Sequence, residues 1–226
     1  MENWRIVIGH AVFDLDGALI DSAPLCAHIV NAMLADRGAG RRVSVDETRP
    51  HVTAGGRRMV EALLAGHCAD PDQTIDEFRQ RYAATPTPAG CLYPGVRRGL
   101  EALTDEGVGL AIWSNKPQRL CDKVVNELGL GSHFSAVVGT GPGVPQKPDC
   151  TGFDRALALA GGSRERSCYV GDTGIDHETA ARAGVPFIML TYGYGQYEMP
   201  WSGAFLADRF DAVPALVMTI LAQAAG

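Results

Sequence analysis

Asp14 and Asp16 stand two residues apart at the end of an apolar run, and Gly17 follows them. The run, Arg5 to Phe13, reads as a buried strand of a parallel sheet. Strand period is two, so both carboxylates start out on the same side. Two anions that close repel, and each raises the other's pKa unless a cation is present. Gly17 frees the backbone to turn directly after them. The triplet therefore offers a divalent-cation ligand, a nucleophile and an acid/base within three residues. A solvated acidic turn has the same letters, so the triplet alone does not decide.

Three further elements bear on it. Ser114-Asn115 directly follows the apolar run Gly109 to Trp113. Lys147 lies in Gln146-Lys147-Pro148-Asp149, ahead of a helical pattern. Gly171-Asp172-Thr173-Gly174-Ile175-Asp176 follows the short run Cys168 to Val170. Each has an ordinary reading: a turn cap, a loop lysine, a tight turn. Together they fall at one edge of one predicted sheet. Four carboxylates, a lysine and a hydroxyl gathered there suit a phosphate group with Mg²⁺.

The elements that must position them follow from periodicity. Leu25, Ile29, Ala32 and Met33 mark a helix that begins near Asp21 or Ser22 and stops at Gly38. Gly40 to Pro50 reads as a polar stretch. Two more helices are predicted over roughly 56–66 and 74–84, and a proline-rich linker spans 85–90. After the linker, strands alternate with helices, with Pro186 to Leu190 as the last strong strand. That alternation implies an α/β fold, a Rossmann-like doubly wound parallel sheet with helices on both faces. Residues 1–19 and 91–226 form this core, and 20–90 form an inserted α-helical unit. Ligands of such sheets bind at the carboxyl ends of the strands.

Composition narrows the classes. The 226 residues carry 20 basic and 26 acidic side chains, a net charge of −6. With no basic run, this argues against a nucleic-acid partner. No apolar run reaches the roughly 20 residues that span a bilayer, and the N-terminal residues do not read as a signal peptide. Six scattered cysteines form no Cys-x-x-Cys pair and fit free thiols in a reducing cytoplasm.

The motif set resembles the haloacid dehalogenase superfamily, and within it the phosphoglycolate phosphatases and their relatives. Phe13 to Ser22 is similar to the first motif of that family. Ser114-Asn115-Lys116-Pro117, Lys147-Pro148 and Gly171-Asp172-x-x-x-Asp176 are similar to the other three, in order. Tyr93-Pro94-Gly95-Val96 and Leu190 to Gly195 are similar to the phosphoglycolate branch. Ala18 departs from the usual Thr, which implies looser phosphate positioning.

The resemblance implies a Mg²⁺-dependent phosphatase of a small phosphorylated metabolite, with 2-phosphoglycolate as the leading substrate. Asp14 would be the nucleophile that forms an aspartyl phosphate. Asp16 would protonate the leaving alcohol and then activate water. Metal ligands would be the Asp14 carboxylate, the Asp16 backbone carbonyl and the Asp172 carboxylate. Asp176 would hold a water on the metal or orient Lys147. Ser114, Asn115 and Lys147 would bind the phosphoryl group. The 20–90 unit would be a mobile cap. In it, Arg57 or Arg58, beside Gly55-Gly56 at a helix N-terminus, could meet a substrate carboxylate, or both could be solvated. A monomer or a homodimer is compatible with the chain.

Alternatives within the fold are a sugar-phosphate phosphatase, a phosphomutase, a pyrophosphatase and a phosphonatase. The last needs a cap lysine and lacks the second Asp. Here Asp16 is present and residues 20–90 contain no lysine. A receiver-like signalling module is shorter, lacks an insert and carries its reactive Asp on a middle strand.

Overall fold

The computed structural model describes residues 9–52, 55–195 and 203–224. The start of the first predicted strand, residues 5–8, lies outside them, as do Thr53 and Ala54.

Six parallel strands form one sheet in the order β3-β2-β1-β4-β5-β6. They are β1 (Gly9–Phe13), β2 (Val108–Pro117), β3 (Ala136–Thr140), β4 (Ser167–Gly171), β5 (Phe187–Leu190) and β6 (Phe205–Ala207). β1 lies at the centre, with Phe13 opposite Ile112 on one side and Val170 on the other. All five of its residues are buried, which is why they read as an apolar run, interrupted only by the buried His10.

Alternation along the strands sends side chains to two cores. Phe13, Ile112, Val170 and Ile188 join one cluster with residues of α5 (Val96–Asp105), α6 (Gln118–Glu127) and α9 (Val213–Gln223). Val12, Trp113, Tyr169 and Phe187 join the other with residues of α7 (Thr151–Leu159) and α8 (Gly174–Ala183). The predicted doubly wound α/β architecture is present.

Among the described residues, four α-helices, a short 3-10 turn and no strand of the sheet lie between β1 and α5: α1 (Ala23–Asp36), α2 (Val45–Val52), α3 (Gly56–Leu63) and α4 (Pro71–Ala84). The segments leading into and out of this insert run side by side. Asp21 N donates to the Cys91 carbonyl at 2.7 Å, and Tyr93 N to Leu19 at 3.0 Å.

Two elements differ from the sequence reading. The polar stretch 40–50 contains most of α2. Ser44 and Glu47 form a reciprocal cap there: Ser44 N donates to Glu47 Oε2 at 2.7 Å, and Glu47 N to Ser44 Oγ at 3.1 Å. This Ser-x-x-Glu signature opposes the low apolar content that suggested a loop. β6 extends the sheet beyond β5. It is three residues long with one buried, so alternation has nothing to report. Among the described residues, no helix is long and apolar enough to cross a membrane.

Candidate active site

The strand order reverses between β1 and β4, each reached from a different half of the sheet. A crevice opens at such a switch point, beyond the carboxyl ends of the strands. Asp14 follows β1 and Asp172 follows β4, so both carboxylates enter it. Asp176 comes from the first turn of α8. One oxygen of each of Asp14, Asp172 and Asp176 lies within 4.8 Å of the other two. All three residues are buried.

Lys147 supplies the nearest positive charge. Its Nζ donates to Asp14 Oδ1 at 2.7 Å and to Asp176 Oδ1 at 2.8 Å. Burial opposes the ammonium charge, yet Asp14 and Asp176 outweigh it and hold the Lys147 pKa above its usual value. The loop carrying Lys147 is fixed by Asn115, whose Oδ1 accepts from Lys147 N at 2.8 Å. The Asn115 amide oxygen is thus engaged in positioning the lysine. Ser114 is 2% exposed and faces the same cavity.

Asp176 is fully bonded. Its Oδ1 also accepts from Tyr169 Oη at 2.9 Å, and its Oδ2 from Thr173 Oγ1 at 2.5 Å and Thr173 N at 3.2 Å. The bond from Thr173 N, with Asp176 N donating to Thr173 Oγ1 at 3.3 Å, makes a capping box at the start of α8. These bonds fix the Asp176 carboxylate beside Lys147 and within reach of Asp14 and Asp172.

Asp172 is the opposite case. Its Oδ2 accepts from Tyr194 N at 2.7 Å. Its Oδ1 is buried with no hydrogen-bond partner among the described residues. Burial, then the charges of Asp176 and Asp14, push its pKa well above the usual range. Burial also raises Asp14, to about 7, against the pull of Lys147. An orphaned carboxylate oxygen beside a second carboxylate is the arrangement a hard divalent cation satisfies. The residues fit such an ion.

Glycines make this packing possible. A Cβ at Gly17, where φ is +89°, would collide with Asp172 Oδ2. A Cβ at Gly193 would lie 2.3 Å from Asp172 Cβ. The loop after β5 also bonds the first turn of the chain: Tyr192 Oη donates to the Ala18 carbonyl at 2.7 Å. Ala18 is itself fully buried in the apolar cluster.

Asp16 sits apart from the other three carboxylates. Both its oxygens accept from Lys116 Nζ, at 2.8 and 2.7 Å. Burial opposes the Lys116 charge, and Asp16 outweighs it to hold the Lys116 pKa well above normal. Lys116 was visible within Ser-Asn-Lys-Pro, but no role followed from its spacing. Tyr82 of α4 covers it, with the ammonium 4.6 Å from the ring centroid.

The cavity holds about 240 Å³. Its floor is Asp14, Asp16, Ser114, Asn115 and Lys147; Met59, Ile75, Phe78 and Tyr82 of the inserted helices wall it. Arg57 reaches it, but Arg57 pairs with Asp72 and lies 3.7 Å from Glu61. Arg58 is exposed and does not line the cavity. Arg79 of α4 lines it instead. The predicted 74–84 helix is α4, but Arg79 on it did not stand out as a candidate site residue. The apolar spacing Ile75, Phe78, Tyr82 was the available signal, since Arg79 shares that turn.

Residues 11–190 match the model of the haloacid dehalogenase-like hydrolases. The chain is 34% identical over 220 residues to a phosphoglycolate phosphatase of Cereibacter sphaeroides, covering 93% of this chain and 98% of that one. It is 33% identical to the Mesorhizobium japonicum phosphoglycolate phosphatase, over 95% and 97% of the two chains. Among solved structures, a predicted phosphoglycolate phosphatase from Haemophilus somnus superposes with a TM-score of 0.80 at 25% identity, over 92% and 97% of the two chains. A CbbY structure from Rhodobacter sphaeroides in complex with phosphate shares the fold, with a TM-score of 0.71 at 21% identity over 92% and 96%.

Proposed function

The chain belongs to the haloacid dehalogenase-like hydrolases, and on that premise we propose that it is a Mg²⁺-dependent phosphatase working through an aspartyl phosphate on Asp14, with 2-phosphoglycolate as its substrate. The observation that carries this reading is the buried group itself. Asp14 is held at 2.7 Å by Lys147, beside an Asp172 oxygen that has no hydrogen-bond partner among the described residues. The substrate assignment rests on relatives of that name that match over nearly their whole length.

Asp14, Asp172 and the backbone carbonyl of Asp16 would hold the cation. When bound, it offsets the repulsion between the Asp14 carboxylate and the phosphate dianion. The rest is work for the side chains. An Asp14 oxygen bonds to phosphorus as the bond from phosphorus to the leaving oxygen breaks. Asp16 gives its proton to that leaving oxygen. It then takes a proton from the water that attacks the aspartyl phosphate, freeing inorganic phosphate and restoring Asp14. Ser114 donates to a phosphoryl oxygen. Lys147, oriented by Asp176 and Asn115, balances charge as a compact ammonium. The four inserted helices act as the cap that excludes water from the cavity.

The test is a panel of phosphate monoesters with Mg²⁺, with Asp14→Asn beside it. We expect 2-phosphoglycolate to lead by kcat/KM, and Asp14→Asn to show no turnover above background. Turnover by Asp14→Asn would end the nucleophile assignment. A sugar phosphate or nucleotide ranking above 2-phosphoglycolate would overturn the substrate.

A further inference from the structure

The mechanism above leaves one buried cation of the cavity without a task. Lys116 lies at the end of β2, two residues beyond Ser114. Its ammonium bridges both oxygens of Asp16. The Lys116 side chain is 8% exposed and that of Asp16 is 15%. Among the described residues, no other group hydrogen-bonds the Asp16 carboxylate. Tyr82, 1% exposed, also offers its ring to Lys116. The Tyr82 ring is the contact with the lysine, its centroid 4.6 Å from the ammonium.

A carboxylate on a turn has several rotamers open to it. Two charge-assisted hydrogen bonds from one donor remove that freedom. The donor is itself a long flexible side chain, and it holds still only if something packs on it. The Tyr82 ring does this, through a contact that is worth most where water is excluded. We infer that Lys116, clamped by the Tyr82 ring, is a positioning residue that sets where the Asp16 carboxyl points in both halves of the reaction. The inference rests on the phosphatase reading above, with Asp16 as acid and base. Lys147 already faces Asp14, so the phosphoryl group does not need a second ammonium for charge. Because Tyr82 belongs to α4, the aim of Asp16 depends on how the inserted helices seat on the sheet.

Leaving groups separate this role from others. An alkyl phosphate expels an alkoxide that must take a proton from Asp16 as its bond to phosphorus breaks. A p-nitrophenyl ester expels a stable phenolate that needs none. Attack of water on the aspartyl phosphate needs Asp16 in both cases. For Lys116→Met, rapid-mix release of p-nitrophenolate should stay within about threefold of the unchanged protein, while steady-state turnover falls roughly 100-fold, as for a catalytic group misplaced by about an ångström. Aspartyl phosphate then accumulates to nearly one per chain. With an alkyl phosphate, both the first turnover and the steady state fall. Lys116→Arg should recover most of the loss. Tyr82→Leu should repeat the pattern more weakly, and it tests the clamp with every charge in place should Lys116→Met not fold.

Equal loss of burst and steady state with the p-nitrophenyl ester would overturn the inference, because Lys116 would then act on the phosphoryl group. An unchanged rate on the alkyl ester would overturn it too. Asp14→Asn is run alongside: a burst in that variant defeats the assignment of Asp14 as nucleophile, and no release of p-nitrophenolate by the unchanged protein defeats the phosphatase reading itself, whatever Lys116 does.

Discussion

Two buried lysines face this cavity, and they are held in different ways. Lys147 bonds Asp14 and Asp176 and lies 5.8 and 5.3 Å from the ring centroids of Trp113 and Tyr169. Every one of those partners comes from the sheet, its carboxyl edge or the first turn of α8. Lys116 bonds Asp16, and its ring partner comes from α4 in the insert. The Asp14 half of the site is therefore built by the core alone. The Asp16 half is completed from outside the core. A fold organised this way can keep Asp14 fixed while the aim of Asp16 follows the seating of the helices above it.

The sharpest way to break this comparison is to remove each lysine. Lys147→Met strands Asp14 and Asp176 in a site that burial already makes hostile to charge. Breaking a buried pair from one side costs about 3–5 kcal/mol. We expect urea unfolding without Mg²⁺ to show a loss near the lower end of that range, since Asp14 can take up a proton. Turnover should fall at least as far as on losing one oxyanion donor, roughly 10²–10³-fold. Lys116→Met should lose less stability, because Asp16 is nearer solvent and can hydrate. Equal stability losses for the two variants would erase the distinction between a core-built half and a completed half.

A smaller effect probes the rigidity of the first half. Gly193→Ala places a methyl 2.3 Å from Asp172 Cβ and 2.6 Å from the Gly17 carbonyl. Backbone and the buried carboxylate must move apart. Overpacking of this kind costs about 1–3 kcal/mol. It should also weaken Mg²⁺ binding about tenfold, a range typical of disturbing a ligand's support. Thermal melting and calorimetric Mg²⁺ titration read the two effects separately. Unaltered Mg²⁺ affinity alongside a lowered Tm would mean that Asp172 is not held by this packing.

Much of the first half was legible in the amino-acid sequence, and little of the second. Asp14, Ser114 and Asp172 each end an apolar run, and strand ends of a parallel sheet share an edge, so their convergence follows from topology. Lys147 follows from charge, given three carboxylates to balance. Lys116 stands in plain view beside Ser114, but its task depends on Tyr82, whose approach is set by how α4 packs. Local pattern carries no record of that. Arg57 shows the limit of local pattern in another way. A helix N-terminus beside two glycines suggests an anion site, while Asp72 at the start of α4 pairs with the arginine across the insert. The inserted helices were legible as helices, α2 excepted, and so was the apolar face of α4 at Ile75, Phe78 and Tyr82; that the Tyr82 ring meets a lysine of the core was not.

The smallest expected effect concerns the attachment of α4 to the core. Lys123 of α6 donates to the Thr85 carbonyl at 2.7 Å, to Thr87 Oγ1 at 3.2 Å and to Glu127 at 2.6 Å. Glu127 in turn accepts from Thr87 N at 2.9 Å. This cluster ties the segment that follows α4 to a helix of the core, and Lys123 lies 5.9 Å from the centroid of the same Tyr82 ring. Hydrogen bonds from Lys123 and Thr87 lower the Glu127 pKa from 4.5 to about 2. The folded state thus prefers the ionised form. The stability this confers is fully present above pH 4.5 and is lost as the pH falls through about 2. Glu127 is partly exposed, so solvent reduces the effect to a few tenths of a kcal/mol. Glu127→Gln should therefore be slightly less stable than the unchanged chain at pH 6, and the gap should narrow by pH 3. If the tie also steadies Tyr82, Glu127→Gln should lower alkyl-phosphate turnover slightly while leaving the p-nitrophenolate burst alone. A stability gap independent of pH would show that the carboxylate charge contributes nothing to the attachment.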